Sequence, residues 1–442
     1  MADGYEPIVI AEASGAMLRD ERGREYFDGN SSIWTNLHGH RRAEIDAALR
    51  AQLDRVAHSS FLGLTNDLAP RLAAELLRRF GTTGAEGWRV FLSDDGSTAV
   101  EAGLKMIHQA RVQRGEADRS VYISVAGGYH GDTVGAMSLG QSPIFHATYR
   151  SLLFVTREVP SPTCYRCPHN RAAPERGTDA RLARTCEWEC VRAVEHTLDE
   201  AGGRASAFVI EPLVHGAGSM SMQPAGYLSR VAALCRERGV WLMLDEVLTG
   251  FGRTGEMFAF QKEDGVRPDI MAVAKGLTGG YLPLAATIAS PEIFDAFLGE
   301  FEEFRTFFHG HSYTGNQLGC AAALASLSIF ETEHTLEHIR SRAAALEKLV
   351  QRFWQHPNVG DVRCAGTICA IELVQDFATR ERFPIGRRAG FHVCERAKKH
   401  GLLTRPVGDV LILMPPYCAT DQQLEAAVDA LWQALVAELP LG

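Results

Sequence analysis

Two residues in the middle of the chain are spaced to do chemistry together. Asp245 ends the apolar run Val240 to Leu244, and Lys275 follows the run Ile270 to Ala274. Each run has the length of a buried strand and is too short for a free helix. A charged group at such a strand end is costly to bury unless an opposite charge meets it. In an open α/β sheet, the carboxyl ends of strands converge on a ligand crevice. Gly276, Gly279 and Gly280 stand beside the lysine. An acid and an amine delivered there can hold a pyridine ring and its aldehyde. The acid would pair with the ring nitrogen, and the amine would form a Schiff base. Taken singly, either residue reads better as half of a plain salt bridge. LMLDE also suits the acidic strand end of a nucleoside triphosphatase. That reading needs a GxxxxGK[ST] loop, and the chain has no Gly-Lys dipeptide.

The stretches around both residues, DEVLTGFGRTG and PDIMAVAKGLTGGYLP, resemble the class III pyridoxal-phosphate-dependent aminotransferases of fold type I. The resemblance covers nearly the whole chain. It implies an α/β fold, with a large domain built on a mostly parallel seven-stranded sheet and a small α+β domain. It implies pyridoxal 5'-phosphate as cofactor, with Lys275 as its attachment point and Asp245 on the ring nitrogen. It further implies a homodimer with shared active sites. In detail the chain is similar to the branch that converts 8-amino-7-oxononanoate to 7,8-diaminononanoate in biotin synthesis. The amino donor there is S-adenosylmethionine or, in one subgroup, lysine. Leu248 points the same way, because the ornithine and 4-aminobutyrate branches often carry glutamine at that position. Two rivals share the fold: another ω-amino acid or diamine transaminase, and an aminomutase. A third is a non-catalytic cofactor-binding protein.

The elements that must position these groups follow in chain order. A hairpin is expected around Asp20 and Gly23. Trp34 sits in a loop before an amphipathic helix with Ile45, Leu49 and Leu53 on one face. By the resemblance this loop lines the substrate pocket. Ile33 stands where adenosylmethionine-dependent relatives commonly have a first of two tryptophans. Those relatives also begin with a PFTQM-like stretch, and Met1 falls at its last residue. Either the start was assigned late or the pocket lacks this wall. A helix is expected from Leu68 to Phe80, stopped by Gly81. Gly96 and Ser97 open a helix whose dipole and free N–H groups favour an anion. Thr98 and Glu101 have capping-box spacing there. The resemblance makes Gly96 and Ser97 holders of the cofactor phosphate. Tyr129, on a glycine-rich loop, can stack on a flat ring, and by the resemblance it stacks on the cofactor and borders the substrate. His130 reads as structural, and Glu211 as a supporting acid.

Residues 158–190 read as a polar insertion rich in Pro and Arg. It holds Cys164-x2-Cys167 and Cys186-x3-Cys190, a possible structural zinc set. The second pair would share one helical face if the next helix has begun. The turn Gly310, His311, Ser312 opens a long helix. By the resemblance it crosses the dimer interface, where Gly310 borders the substrate and His311 and Ser312 reach the partner's cofactor phosphate. Arg405, in the RPVG…LMPP pattern, would anchor the acceptor's carboxylate. The expected divisions are 1–60, packing with the small domain; 61–334, the large domain; and 335–442, the small domain ending in a helix from Asp421 to Glu438.

Composition narrows the partners. The chain has 442 residues, 46% of them hydrophobic, and a net charge of −9. It carries no Lys/Arg-rich run, so nucleic acid and anionic membrane are poor partners. No apolar run reaches the ~18 residues of a membrane span. Ten cysteines without a secretory signal point to a reducing cytoplasm.

Overall fold

The computed structural model describes residues 6–81, 87–140 and 145–441. The expectation about the N-terminal wall falls on residues 1–5 and lies outside the described residues. The architecture is α/β, centred on a seven-stranded sheet. Its strand order is Arg89–Ser93, Ala285–Ala289, Ile270–Val273, Trp241–Asp245, Ala205–Ile210, Val121–Val125, Arg157–Val159. Only Ala285–Ala289 runs against its neighbours. Four adjacent strands are buried along their whole length. Their near-continuous apolar sequences follow from helices covering both faces. One face packs on a core that includes Leu72, Phe80, Phe208 and Leu244. The other packs on Val100, Ile107, Val209 and Met243. In register, Asp245 lies opposite Ala272 on the neighbouring strand, three residues before Lys275.

A four-stranded sheet lies in the C-terminal part, in the order Val359–Ala365, Ile368–Leu373, Val410–Leu413, Pro406–Val407. The N-terminal hairpin joins this region: Glu25–Asp28 pairs with Leu402–Leu403, and Phe27 shares a core with Ile371, Leu413 and Leu431. The C-terminal helix spans Asp421–Glu438, capped by Thr420. Helix Leu68–Phe80 stops at Gly81, whose φ of +73° suits glycine.

Three local expectations are corrected. In helix Ala43–Leu53, Ile45 is buried but Leu53 is 58% exposed. Gln52 is buried in its place, donating to the Val56 carbonyl. The capping box at helix Gly96–Gln113 is made by Asp95 with Thr98, while Glu101 instead accepts from Gly135 N. Helix Glu189–Ala201 begins after Cys186, so Cys186 and Cys190 do not share a helical face.

The insertion is held by arginines that donate to backbone carbonyls. Arg176 reaches Trp354, His356 and Pro357, and Arg181 reaches Cys364. Arg380 reaches back to Tyr165 and Ala172, and Arg166 meets Glu372 at 2.6 Å. A segment with few aliphatic residues is thereby ordered through charge-assisted hydrogen bonds. Arg253 does the same inside the molecule. Fully buried, it donates to the carbonyls of Pro415, Trp34 and Asn36.

Candidate active site

The carboxyl ends of five parallel strands open onto one cavity of about 500 Å³, within the range of small-ligand sites. Each strand delivers a polar group at its last residue or within a few residues beyond it. These are Asp94 and Asp95, Tyr129 and His130, Glu211, Asp245, and Lys275. Trp34, Gly96, Ser97 and Leu248 complete this part of the wall.

Lys275 opens a short 3-10 turn with φ of +27°, a strained value for a residue with a Cβ. Its Nζ lies 4.6 Å from the centroid of the Trp34 ring. Burial lowers the pKa of the amine; Asp245 and then Glu211 oppose this without cancelling it. The amine is therefore more nucleophilic at neutral pH than a surface lysine.

Asp245 has both oxygens engaged. Oδ2 lies 2.8 Å from His130 Nδ1, and Oδ1 accepts from Val247 N at 3.1 Å. Burial acts to lower the His130 pKa, but its hydrogen bond to Asp245 and the charges of Asp245 and Glu211 together outweigh this and raise it. The sequence alone marks His130 as structural. It is the direct partner of the principal acid, from a position 115 residues away. Glu211 accepts from Tyr129 N and Gly216 N, fixing two loops. Burial pushes its carboxyl up to about 7, helped by nearby Asp245 and opposed by His130. Tyr129 is raised, first by burial and then by its 2.8 Å hydrogen bond to Asp132.

At the start of helix Gly96–Gln113, Ser97 Oγ accepts from Asp132 N at 3.0 Å. A Cβ at Gly96 would sit 2.6 Å from Val247 Cγ1, so only glycine permits this approach. Trp34 donates from Nε1 to Asn30 Oδ1 at 2.7 Å. It belongs to a left-handed turn, Ser31–Trp34, a conformation that costs roughly 1–2 kcal/mol per non-glycine residue.

The remaining expected residues lie apart from this cavity within one chain. Ile33 is 45% exposed and does not line it. Arg405 is exposed, between Leu402–Leu403 and Pro406–Val407. Gly310 and Ser312 are also outside the wall, and the Ser312 carbonyl accepts from His58 Nε2. His311 approaches only the rim, with Nδ1 3.4 Å from Asp94.

Cys164, Cys167, Cys186 and Cys190 line one separate small cavity as free thiols. Among the described residues, no group of three or more His, Cys, Asp or Glu is arranged to hold a metal ion. The geometry thus gives the zinc expectation no support.

The class III aminotransferase family pattern matches residues 1–435. The chain belongs to the class III aminotransferases. It is 46% identical over 431 residues to the adenosylmethionine-8-amino-7-oxononanoate aminotransferase of Geobacter sulfurreducens, covering 97% of this chain and 92% of that one. The crystal structure of the enzyme of that name from Methanocaldococcus jannaschii superposes with a TM-score of 0.88 at 40% identity, covering 98% and 94% of the two chains. An amine transaminase from an uncultivated Pseudomonas species, in a pyridoxal-phosphate-bound form, superposes at 0.90 with 33% identity, covering 99% and 97%.

The family's cofactor is pyridoxal phosphate, and the residues present fit it. A buried amine of lowered pKa, a carboxylate opposite, a half-buried aromatic ring and a helix amino terminus surround one cavity. Among the described residues, no helix is long and apolar enough to cross a membrane.

Glu211 gives the site a pH signature. Its folded pKa of about 7 lies above the reference 4.5. The stabilisation it provides is therefore full below pH 4.5 and is lost as pH rises through 7. For cofactor-free protein this amounts to roughly 2–3 kcal/mol between pH 5 and pH 8. Urea denaturation at the two pH values should show that slope in wild type and a flatter one in Glu211→Gln. Equal slopes would show that Glu211 does not titrate between them.

Proposed function

We propose that this aminotransferase transfers an amino group from S-adenosylmethionine or lysine to 8-amino-7-oxononanoate, giving 7,8-diaminononanoate for biotin synthesis. What carries the reading is the convergence of Lys275 and Asp245 on one cavity in a chain 46% identical to an enzyme named for that acceptor. Bound pyridoxal phosphate would supply the electron sink that makes the donor's carbon acidic.

The roles of the chain's own residues follow. Lys275 would hold the cofactor through its side-chain amine, and that amine is placed to take a proton from the donor carbon and return it. Asp245, held by His130 and Val247 N, presents a fixed carboxylate to the ring nitrogen. Tyr129 would border the cofactor ring, and Gly96 and Ser97, at the start of their helix, would hold its phosphate. Trp34 and Leu248 form apolar wall against the substrate's aliphatic chain. Arg405 is our candidate anchor for the acceptor's carboxylate. The boundaries 1–60, 61–334 and 335–442 are our domain proposal, supported by the pairing of Glu25–Asp28 with Leu402–Leu403.

The second reading, an ω-amino acid or amine transaminase, is favoured by the superposition on the Pseudomonas amine transaminase. A panel of amino donors against 8-amino-7-oxononanoate and against simple ketones separates the two. The main reading expects turnover of the oxononanoate with S-adenosylmethionine or lysine. Activity on simple ketones alone would replace it with the second. Lys275→Ala should abolish turnover and lose the borohydride-reducible link to the cofactor, and labelling that persists on a lysine would move the attachment point.

We also propose a homodimer in which Gly310, His311 and Ser312 complete the partner's site. The exposed Phe301, Phe304, Phe308 and Tyr313 beside this turn support it. Mixing Lys275→Ala with an inactive variant of the 310–312 turn should restore partial activity in heterodimers. No rescue despite demonstrated subunit exchange would mean unshared sites.

Structural zinc in the four-cysteine cavity remains the finer reading of residues 158–190. Zinc would have to draw together four thiols that share one cavity but are not arranged as a ligand set, with Arg184 3.2 Å from Cys186 Sγ. Elemental analysis of tag-free protein should find about one metal per chain if a tetrathiolate forms. Metal-free protein with four titratable thiols in this segment removes the reading.

A further inference from the structure

The turn at the cavity mouth is strained beyond what its sequence favours. Ser31, Ser32, Ile33 and Trp34 have φ of 46°, 48°, 65° and 71°. Four consecutive non-glycine residues, one of them β-branched, do not enter the left-handed region by local preference. They stay there only when the surroundings over-determine them.

The surroundings centre on Asp28, which is 2% exposed. Its Oδ1 accepts from Ser32 N at 3.0 Å and its Oδ2 from Ser32 Oγ at 2.9 Å. His40 Nε2 lies 3.0 Å from the same Oδ2 and steadies the carboxylate from the other side. Ser31 Oγ donates to the Met414 carbonyl at 2.6 Å, tying the start of the turn to the C-terminal sheet. Asn30 then takes the indole N–H of Trp34. Asp28 itself does not line the cavity.

We propose that Asp28 is a positioning residue for the substrate wall. Its carboxylate holds Ser31–Trp34 in the left-handed turn, and the turn sets the Trp34 indole against Lys275 Nζ. In any right-handed or extended arrangement, the Ser32 N–H and Oγ would leave Asp28 and the indole would swing off the amine.

The test has one arm independent of substrate and one that rests on the function proposed above. In cofactor-free protein labelled with 5-fluorotryptophan, the six tryptophans give six fluorine resonances, and Trp34→Phe assigns the relevant one. Asp28→Ala should shift or broaden the Trp34 resonance and leave the other five in place. Asp28→Leu, which keeps the shape and removes both acceptors, serves where alanine fails to fold. An unmoved Trp34 resonance in the folded variant, or displacement of all six, overturns the proposal. In the kinetic arm, KM for the acceptor should rise about tenfold with kcat little changed, the signature of lost substrate binding. Ile33→Gly in the same chain should restore part of it, because glycine adopts positive φ without steric cost. A shifted resonance with unchanged KM would overturn the link from turn to substrate. Inactivity of wild type with every acceptor would count against the proposed function and leave the fluorine arm standing.

Discussion

The site depends on burying an acid and an amine at the ends of neighbouring strands in a sheet covered on both faces. Asp245 is buried and Lys275 half-buried at the cavity wall, so both are poorly solvated and gain from a protein partner or a ligand. Asp245 meets the need with a buried histidine and a backbone N–H. Lys275 meets it only in part. Its amine faces the indole of Trp34, and among the described residues it has no carboxylate within salt-bridge reach. The asymmetry is chemically useful, because a carboxylate held in place can hold a cation while an under-compensated amine stays reactive.

The groups around this pair serve by restricting motion. Glu211 clamps the Tyr129 loop to the Gly216 loop. Gly280 has φ of +87°, and a Cβ on it would lie 2.9 Å from Asn36, so the loop after Lys275 passes directly over the Trp34 segment. Arg253 fastens the same segment from below through the carbonyls of Trp34 and Asn36. The cavity wall is thus assembled from distant parts of the chain, joined by hydrogen bonds to backbone and by close backbone packing.

Much of this was legible in the sequence, and what was not has a physical reason. Asp245, Lys275 and Glu211 announce themselves as polar residues that end apolar strand-length runs, because a buried parallel strand has no polar face to confuse the pattern. The hairpin and the helices Leu68–Phe80 and Asp421–Glu438 were marked by their turns and caps. His130 was missed because its role depends on a carboxylate far along the chain, and no local pattern encodes that pairing. The cap was misplaced because Asp95 and Thr98 compete with Thr98 and Glu101 at the same spacing, and Glu101 is drawn away by Gly135. The left-handed turn at Ser31–Trp34 carries no glycine and leaves no mark in the sequence. Gly310, Ser312 and Arg405 stand outside the cavity of one chain, and no local pattern in the sequence places them relative to it.

This division explains how one scaffold accommodates different amines. The groups suited to the cofactor sit on strand ends and on the first turn of a helix, where packing fixes them. Those we assign to the substrate, Trp34 and Leu248, sit on loops held by side-chain hydrogen bonds or resting on a separate apolar cluster with Val214, Met222 and Ile412. Loops tolerate replacement better than strand ends do. A change at the wall can therefore redirect the choice of amine while the acid, the amine and the helix terminus stay in place.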